Sequence, residues 1–168
     1  MGADELQLGS IARVEGGFEG HLARSFDHGA GNVWRMLVEP AAMAQWLAPG
    51  SIEPRVGGRV KIDFADSGTV IDSRVLEYVP QRMLAYSWSS GSEPPRPLRW
   101  ELVPEGGRTR LTLTVRVPEG EDPAKACAGF EGHLDMLAAA LEGVPIKFPF
   151  DVFLAARAGY RKMLEGAG

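Results

Sequence analysis

The stretch Ala124–Gly143, AKACAGFEGHLDMLAAALEG, decides the fold. Phe130, Leu134, Leu137 and Leu141 recur at helical spacing, with His133 and Ala138 beside them, so one stripe is apolar. Glu131, Asp135 and Glu142 take the opposite side. A helix of about 20 residues is about 30 Å long, enough to lie across a whole sheet. Glu119, Glu121 and Asp122 lead into it and Pro123 opens it, an arrangement suited to the positive end of a helix dipole.

The strands this helix would cover lie upstream. Phe18–Phe26 alternates, with Phe18, Gly20, Leu22, Arg24 and Phe26 on one parity. Ile11, Arg13 and Val14 suit a short edge strand within a polar lead-in. Val33, Met36 and Leu37 then sit at helical spacing with Trp34 flanking them. Pro40 ends that helix and opens a shorter one over Ala41–Leu47, with Met43, Trp46 and Leu47 as its apolar side.

From Ser51 the period falls to two. Ser51–Arg55 reads as a short strand and Gly57-Gly58 as a hairpin turn. Val60, Ile62 and Phe64 alternate, and Asp66-Ser67-Gly68 turns the chain into Thr69–Val79, whose alternation is imperfect. Met83–Ser89 follows, then a segment broken by prolines, Gly91–Pro97. Leu98, Trp100 and Leu102 form one further strand pattern, and Leu111, Leu113, Val115 and Val117 another. Beyond Gly143, Phe153, Leu154, Tyr160 and Leu164 predict a terminal helix over Phe150–Leu164.

Grouped strands and segregated helices predict an α+β fold with an antiparallel sheet. The expectation is six or seven strands wrapped on the long C-terminal helix, with two short helices after the first strand. Residues 18–143 would form the domain, 1–17 a loose lead-in and 144–168 a helical extension of the same domain.

The bulk properties exclude several functions. A chain of 168 residues is one ordinary domain. A net charge of −4 with both signs scattered offers no basic face for nucleic acid. Cys127 is the single cysteine, which rules out an internal disulfide and fits a reducing cytoplasm. The opening MGADELQLGS has neither the charged nor the apolar region of a signal peptide, and no apolar run approaches the roughly 20 residues of a membrane span. His21, His28 and His133 lack ligand spacing, so neither a metal nor a cofactor is expected. Gly29-Ala30-Gly31 lacks the third glycine of a dinucleotide motif, and there is no nucleophile elbow.

The order of elements resembles the helix-grip fold of the plant pollen allergen (Bet v 1-like) and START-like, or SRPBCC, superfamily. The local sequence is similar to its bacterial AHSA1-like branch, named for likeness to the activator of the Hsp90 ATPase. The residues that carry the resemblance include Phe26-Asp27-His28, Val33-Trp34, Glu39-Pro40 and Gln45-Trp46-Leu47. Further along they include Val56-Gly57-Gly58, Tyr86-Ser87-Trp88, Trp100-Glu101-Leu102 and Thr109–Thr114. They end with Gly129-Phe130, Leu134-Asp135 and Leu137, where the family usually has Gly-Trp in place of Gly129-Phe130. The resemblance implies an apolar cavity between sheet and long helix, in a superfamily whose members bind lipids, hormones or polyketides and in some cases cyclise or dehydrate them.

Phe64, Tyr86, Trp88, Trp100 and Phe130 fall on apolar parities of neighbouring elements, so they either line a ligand cavity or fill the core. Leu137 joins Phe130 and His133 on the stripe facing the sheet. Trp46, on the short second helix, would border the cavity mouth if the resemblance holds. His133 is the one candidate catalytic group, because an ordinary imidazole titrates near 6.5; the alternative is a histidine hydrogen-bonded at the stripe's edge. Asp72, Arg74, Arg99 and Glu101 read as a wet face, although an inward Arg74 would anchor an acidic ligand group. Arg157, Arg161 and Lys162 lie opposite the apolar residues of the terminal helix, which would pack on its own domain, on a second copy in a homodimer or on a membrane surface. The leading expectation is a cytoplasmic protein that holds a small apolar molecule. The alternatives are a co-chaperone-like module with a chaperone partner and a cyclase or dehydratase.

Overall fold

The structure, a computed structural model, describes residues 8–64 and 67–167. Asp66, placed in a turn by the sequence pattern, lies outside the described residues. The chain begins with strands β1 (Ser10–Val14) and β2 (Gly17–Phe26), then helices α1 (Ala30–Val38) and α2 (Pro40–Trp46). Six strands follow: β3 (Gly50–Ile52), β4 (Arg59–Phe64), β5 (Thr69–Val79), β6 (Met83–Ser87), β7 (Pro97–Glu105) and β8 (Arg108–Pro118). Helices α3 (Pro123–Leu141) and α4 (Phe150–Ala167) complete it.

Among the described residues the sheet has eight strands, in the order β1-β2-β8-β7-β6-β5-β4-β3, and every neighbouring pair is antiparallel. The sequence pattern gives six or seven, with the helices after the first strand. The difference is β1, which pairs with β2 from Ser10↔His21 to Val14↔Gly17, so the two short helices follow the second strand. The strand expected over Ser51–Arg55 ends at Ile52. Its backbone turns there, with the Arg55 amide donating to the Glu53 carbonyl and the Gly58 amide to the Arg55 carbonyl.

Side-chain parity explains the core. On β8, Thr109, Leu111, Leu113, Val115 and Val117 are all buried, and on β7 Leu98, Trp100 and Leu102 face the same way. The imperfect alternation of β5 has a cause: its register with β6 shifts between Val75 and Glu77. Before that bulge Ile71 and Val75 point inward; after it Tyr78 does, against Trp34, while Leu76 and Val79 are exposed. Arg74 lies on the solvent side with an exposed bond to the Gly57 carbonyl, so it anchors nothing in the interior. Arg99 pairs on the wet face with Glu77.

Helix α3 crosses the inner face. Asp122 caps it, accepting from the Ala124 and Lys125 amides at 3.0 and 3.2 Å, and Pro123 occupies the first turn. Gly143, at φ 79°, ends it in the left-handed conformation that glycine adopts without a Cβ penalty. Helix and sheet approach closely at Gly20, where an added Cβ would come within 2.5 Å of Cys127 Sγ.

The face of α3 that reads as polar is covered in the structure. Glu131 is only 3% exposed. Arg24 of β2 reaches it at 2.7 Å and Asp135 at 2.7 Å, and the Tyr160 hydroxyl of α4 donates to the second oxygen of Glu131. The Gly9 amide in turn donates to Tyr160 at 2.9 Å. Helix α3 therefore lies between the sheet and α4, which buries Ala156 and Tyr160. No helix among the described residues is long and apolar enough to cross a membrane.

Candidate functional site

An open groove of about 530 Å³ runs beside the first half of α3. The end of the β4–β5 hairpin contributes Phe64, Ser67 and Thr69, and the chain just past β6 contributes Trp88. Helix α3 supplies Ala126, Gly129, Phe130 and His133, and α4 closes the far side with Phe153. The volume lies inside the range of small-molecule sites, and the aromatic lining is typical of them.

The aromatic rings touch in sequence. Phe130 meets Trp88 edge-on at 5.3 Å, Trp88 meets Phe64 at 5.7 Å, and Phe64 meets His133 at 5.9 Å. His133 continues to Phe148 at 5.2 Å, and Phe148 to Phe153 at 6.0 Å. Such edge-on pairs add about 0.5–1.5 kcal/mol each beyond burial, so the wall is pre-formed. Gly129 keeps the groove open, because a Cβ built there meets nothing within 4 Å.

Of the eight residues singled out from sequence, the groove brings together Phe64, Trp88, Phe130 and His133. Trp46, Tyr86, Trp100 and Leu137 are not on its walls. They are 1%, 1%, 1% and 0% exposed and pack as core. Trp46 does not border a mouth: its indole N–H donates to the Met36 carbonyl at 2.7 Å, tying α2 to α1. Phe148, Phe153 and Gly129 are absent from the sequence-based set. A usable signal existed in the cluster Phe148, Phe150 and Phe153 just past Gly143, although only α4 folding back brings it to α3.

Glu121, Asp122 and Lys125 also line the groove, while His133 is the titratable group within the aromatic wall. Its Nδ1 lies 3.1 Å from the Trp46 carbonyl oxygen. A carbonyl only accepts, so Nδ1 carries the proton, and among the described residues Nε2 has no protein partner. Burial lowers the pKa of His133 below the ordinary 6.5, and the bond to Trp46 only partly opposes it, so the ring is neutral near pH 7. At the rim Arg96 holds Glu121 through two bonds at 2.8 and 2.9 Å and keeps its carboxyl below the usual range. Arg157 approaches Asp122 at 3.6 Å. A neutral base in an aromatic groove with charged edges can hold an apolar ring system and accept one proton.

The cysteine is not part of this site. Cys127 is buried on the sheet side of α3, and burial, with the nearby Glu131 charge, pushes its thiol to about 12. Among the described residues no three His, Cys, Asp or Glu side chains are placed to hold a metal ion.

The family described as activator of Hsp90 ATPase homolog 1-like protein matches residues 27–142. No curated protein matches this chain. Among solved structures, CalU16 from Micromonospora echinospora is 19% identical with a TM-score of 0.76, covering 93% of this chain and 98% of its own. EF2215, a conserved protein from Enterococcus faecalis, is 18% identical with a TM-score of 0.78, covering 95% and 92%. DynU16, from the dynemicin biosynthetic locus, is 28% identical with a TM-score of 0.69, covering 76% of this chain and 48% of its own.

Proposed function

This chain belongs to the activator of Hsp90 ATPase homolog 1-like family, and from that premise we propose that it binds a small apolar molecule in the groove beside α3. The observation that carries the reading is the coincidence of a 530 Å³ opening with the aromatic wall Phe64, Trp88, Phe130 and Phe153. The sheet and α3 position that wall before any ligand arrives, so little ordering entropy is lost on binding. The lone buried Cys127 suits work in the cytoplasm.

Native mass spectrometry of freshly purified protein, combined with a naphthalene-type fluorescent dye, tests the proposal. One saturable dye site, displaced by whatever small molecule co-purifies, is expected. Non-saturating dye binding that leaves the Trp88 signal unmoved would overturn it.

His133 favours a second reading, a cyclase or dehydratase. Its Nδ1–H is committed to Trp46, which leaves Nε2 on the groove wall without a partner among the described residues, the arrangement of a general base. His133→Ala would then abolish turnover while dye binding persists; unchanged turnover removes the role. An exposed apolar set, Val144, Ile146, Phe150 and Leu154, favours a chaperone-type contact instead. Binding of a chaperone that survives a blocked groove supports that reading.

A further inference from the structure

His133 presents an acceptor to the groove, and the fold supplies no donor for it among the described residues. The Nδ1–H is given to the Trp46 carbonyl at 3.1 Å, which fixes the tautomer and leaves Nε2 with a lone pair and no proton. Nε2 is not sealed away: it is absent from the buried polar atoms that lack a partner, and its ring lines the groove. The rings in contact with the imidazole bring no donor. Phe64 stands edge-on at 5.9 Å and Phe148 lies at 5.2 Å. Ser67, also on the groove wall, donates its hydroxyl to the Phe64 carbonyl at 3.1 Å. The charged lining residues belong to the other end of the groove. Lys125 precedes His133 by roughly two helical turns, about 12 Å along α3. Glu121 is held there by Arg96, and Asp122 by the first amides of α3 and by Arg157.

Resting on the groove reading above, we propose that the ligand is an uncharged aromatic compound carrying a hydroxyl group, whose O–H donates to His133 Nε2 while its ring lies along the aromatic wall. Each alternative meets a penalty at that atom. A hydrocarbon, ether or ketone displaces water from Nε2 and returns no donor, so a polar atom is left unpaired. A carboxylate or phenolate brings negative charge against the lone pair. An ammonium group finds only aromatic rings in contact with the imidazole and no counter-charge. Gly129, one turn before His133 and with nothing within 4 Å of an added Cβ, leaves room for the ligand ring against the helix. The Trp46 carbonyl sets the selectivity without touching the ligand, because it keeps the proton on Nδ1 and so makes Nε2 the acceptor.

2-Naphthol and 2-methoxynaphthalene differ by one methyl group that turns a donor into an acceptor. Displacement of the naphthalene-type dye by each, from the wild-type protein at pH 7, tests the inference. Apolar burial alone favours the ether, which is the larger molecule. The opposite order is expected, with 2-naphthol binding about tenfold more tightly, the size of one hydrogen bond gained against one acceptor left unpaired. In a long-range ¹H–¹⁵N spectrum of the histidines, His133 shows the Nδ1–H tautomer before ligand is added. Its Nε2 resonance then moves with 2-naphthol in the sense of an accepted hydrogen bond. His133→Phe keeps a ring at that position and removes the acceptor, so the order of the two probes reverses. The wild-type affinity order and the Nε2 resonance decide the matter even where the variant does not fold. Equal or reversed affinities in the wild type overturn this inference and leave the groove reading intact. So does a preference for 2-naphthol that leaves the Nε2 resonance unmoved or persists in folded His133→Phe, because the hydroxyl then binds elsewhere in the groove. A saturable dye site from which neither probe displaces the dye has the same consequence. Non-saturating dye binding that neither probe alters overturns the two readings together.

Discussion

Glu131 and His133 stand two residues apart on α3 and occupy opposite kinds of surroundings. Glu131 has both oxygens engaged, one by Arg24 at 2.7 Å and the other by the Tyr160 hydroxyl, and α4 seals the group from water. His133 has one nitrogen engaged and the other without a partner among the described residues, on the wall of an open groove. A buried polar group whose partners all come from the fold specifies the architecture. One left incomplete beside open space is free to pair with water or with whatever enters that space. The same helix does both, one face toward α4 and β2, the other toward the aromatic wall.

The strongest way to break this comparison is Glu131→Ala. It leaves Arg24 in a site 24% exposed with only Asp135, and it strips the Tyr160 hydroxyl of its acceptor. Removing Glu131 leaves Arg24 with half its counter-charge and the buried Tyr160 hydroxyl without an acceptor, and a loss of about 3 kcal/mol in unfolding free energy is expected. Chemical denaturation measures it. Dye binding at the groove should persist in the folded fraction. A near-neutral variant that instead loses the dye would reverse the roles assigned to the two faces.

Gly129→Leu probes the groove side and should move stability and binding in opposite directions. An open space faces position 129, so the substitution meets no clash and gains about 0.5–1 kcal/mol of helix propensity over glycine. The new side chain enters the groove, and dye affinity should fall at least about tenfold, roughly 1.4 kcal/mol. A thermal melt beside a fluorescence titration reads both. Destabilisation would mean that position 129 is packed core and that the groove is closed in solution.

Much of the fold was legible in the sequence because it is written in local periodicity. The parity of Leu111, Leu113, Val115 and Val117 gives the buried face of β8, and the spacing of Phe130, Leu134 and Leu137 gives the inner face of α3. Parity says which way a side chain points, not what lies beyond it. For that reason Tyr86, Trp100 and Leu137 were chosen by the same argument as Phe64, Trp88 and Phe130, yet only the second group reaches the groove. Glu131 was unreadable for a related cause. Its partners Arg24 and Tyr160 lie 107 and 29 residues away, and a carboxylate on a helix looks solvated until they arrive. The bulge in β5 left a visible trace, the broken alternation of Thr69–Val79, but not its position.

The smallest expected effect concerns pH and sharpens the comparison from the His133 side. Burial holds the folded pKa of His133 below the ordinary value, and the bond to Trp46 does not restore it. The unfolded chain therefore binds a proton that the folded chain refuses as pH falls below about 6.5. The contribution of this group is fully present above that value, is lost as pH falls through the window down to the folded pKa, and is constant below it. Each unit of separation is worth about 1.4 kcal/mol. His133→Gln retains a donor for the Trp46 carbonyl but cannot titrate, so the difference in unfolding free energy between wild type and variant isolates this group from every carboxylate. It should shrink or change sign between pH 7 and pH 5. An apolar ligand excludes more water from the ring, so binding should also weaken as pH falls in the wild type and stay level in the variant. A stability difference independent of pH would mean that His133 stays as solvated in the folded chain as in the unfolded one, and the contrast with Glu131 would lose its physical basis.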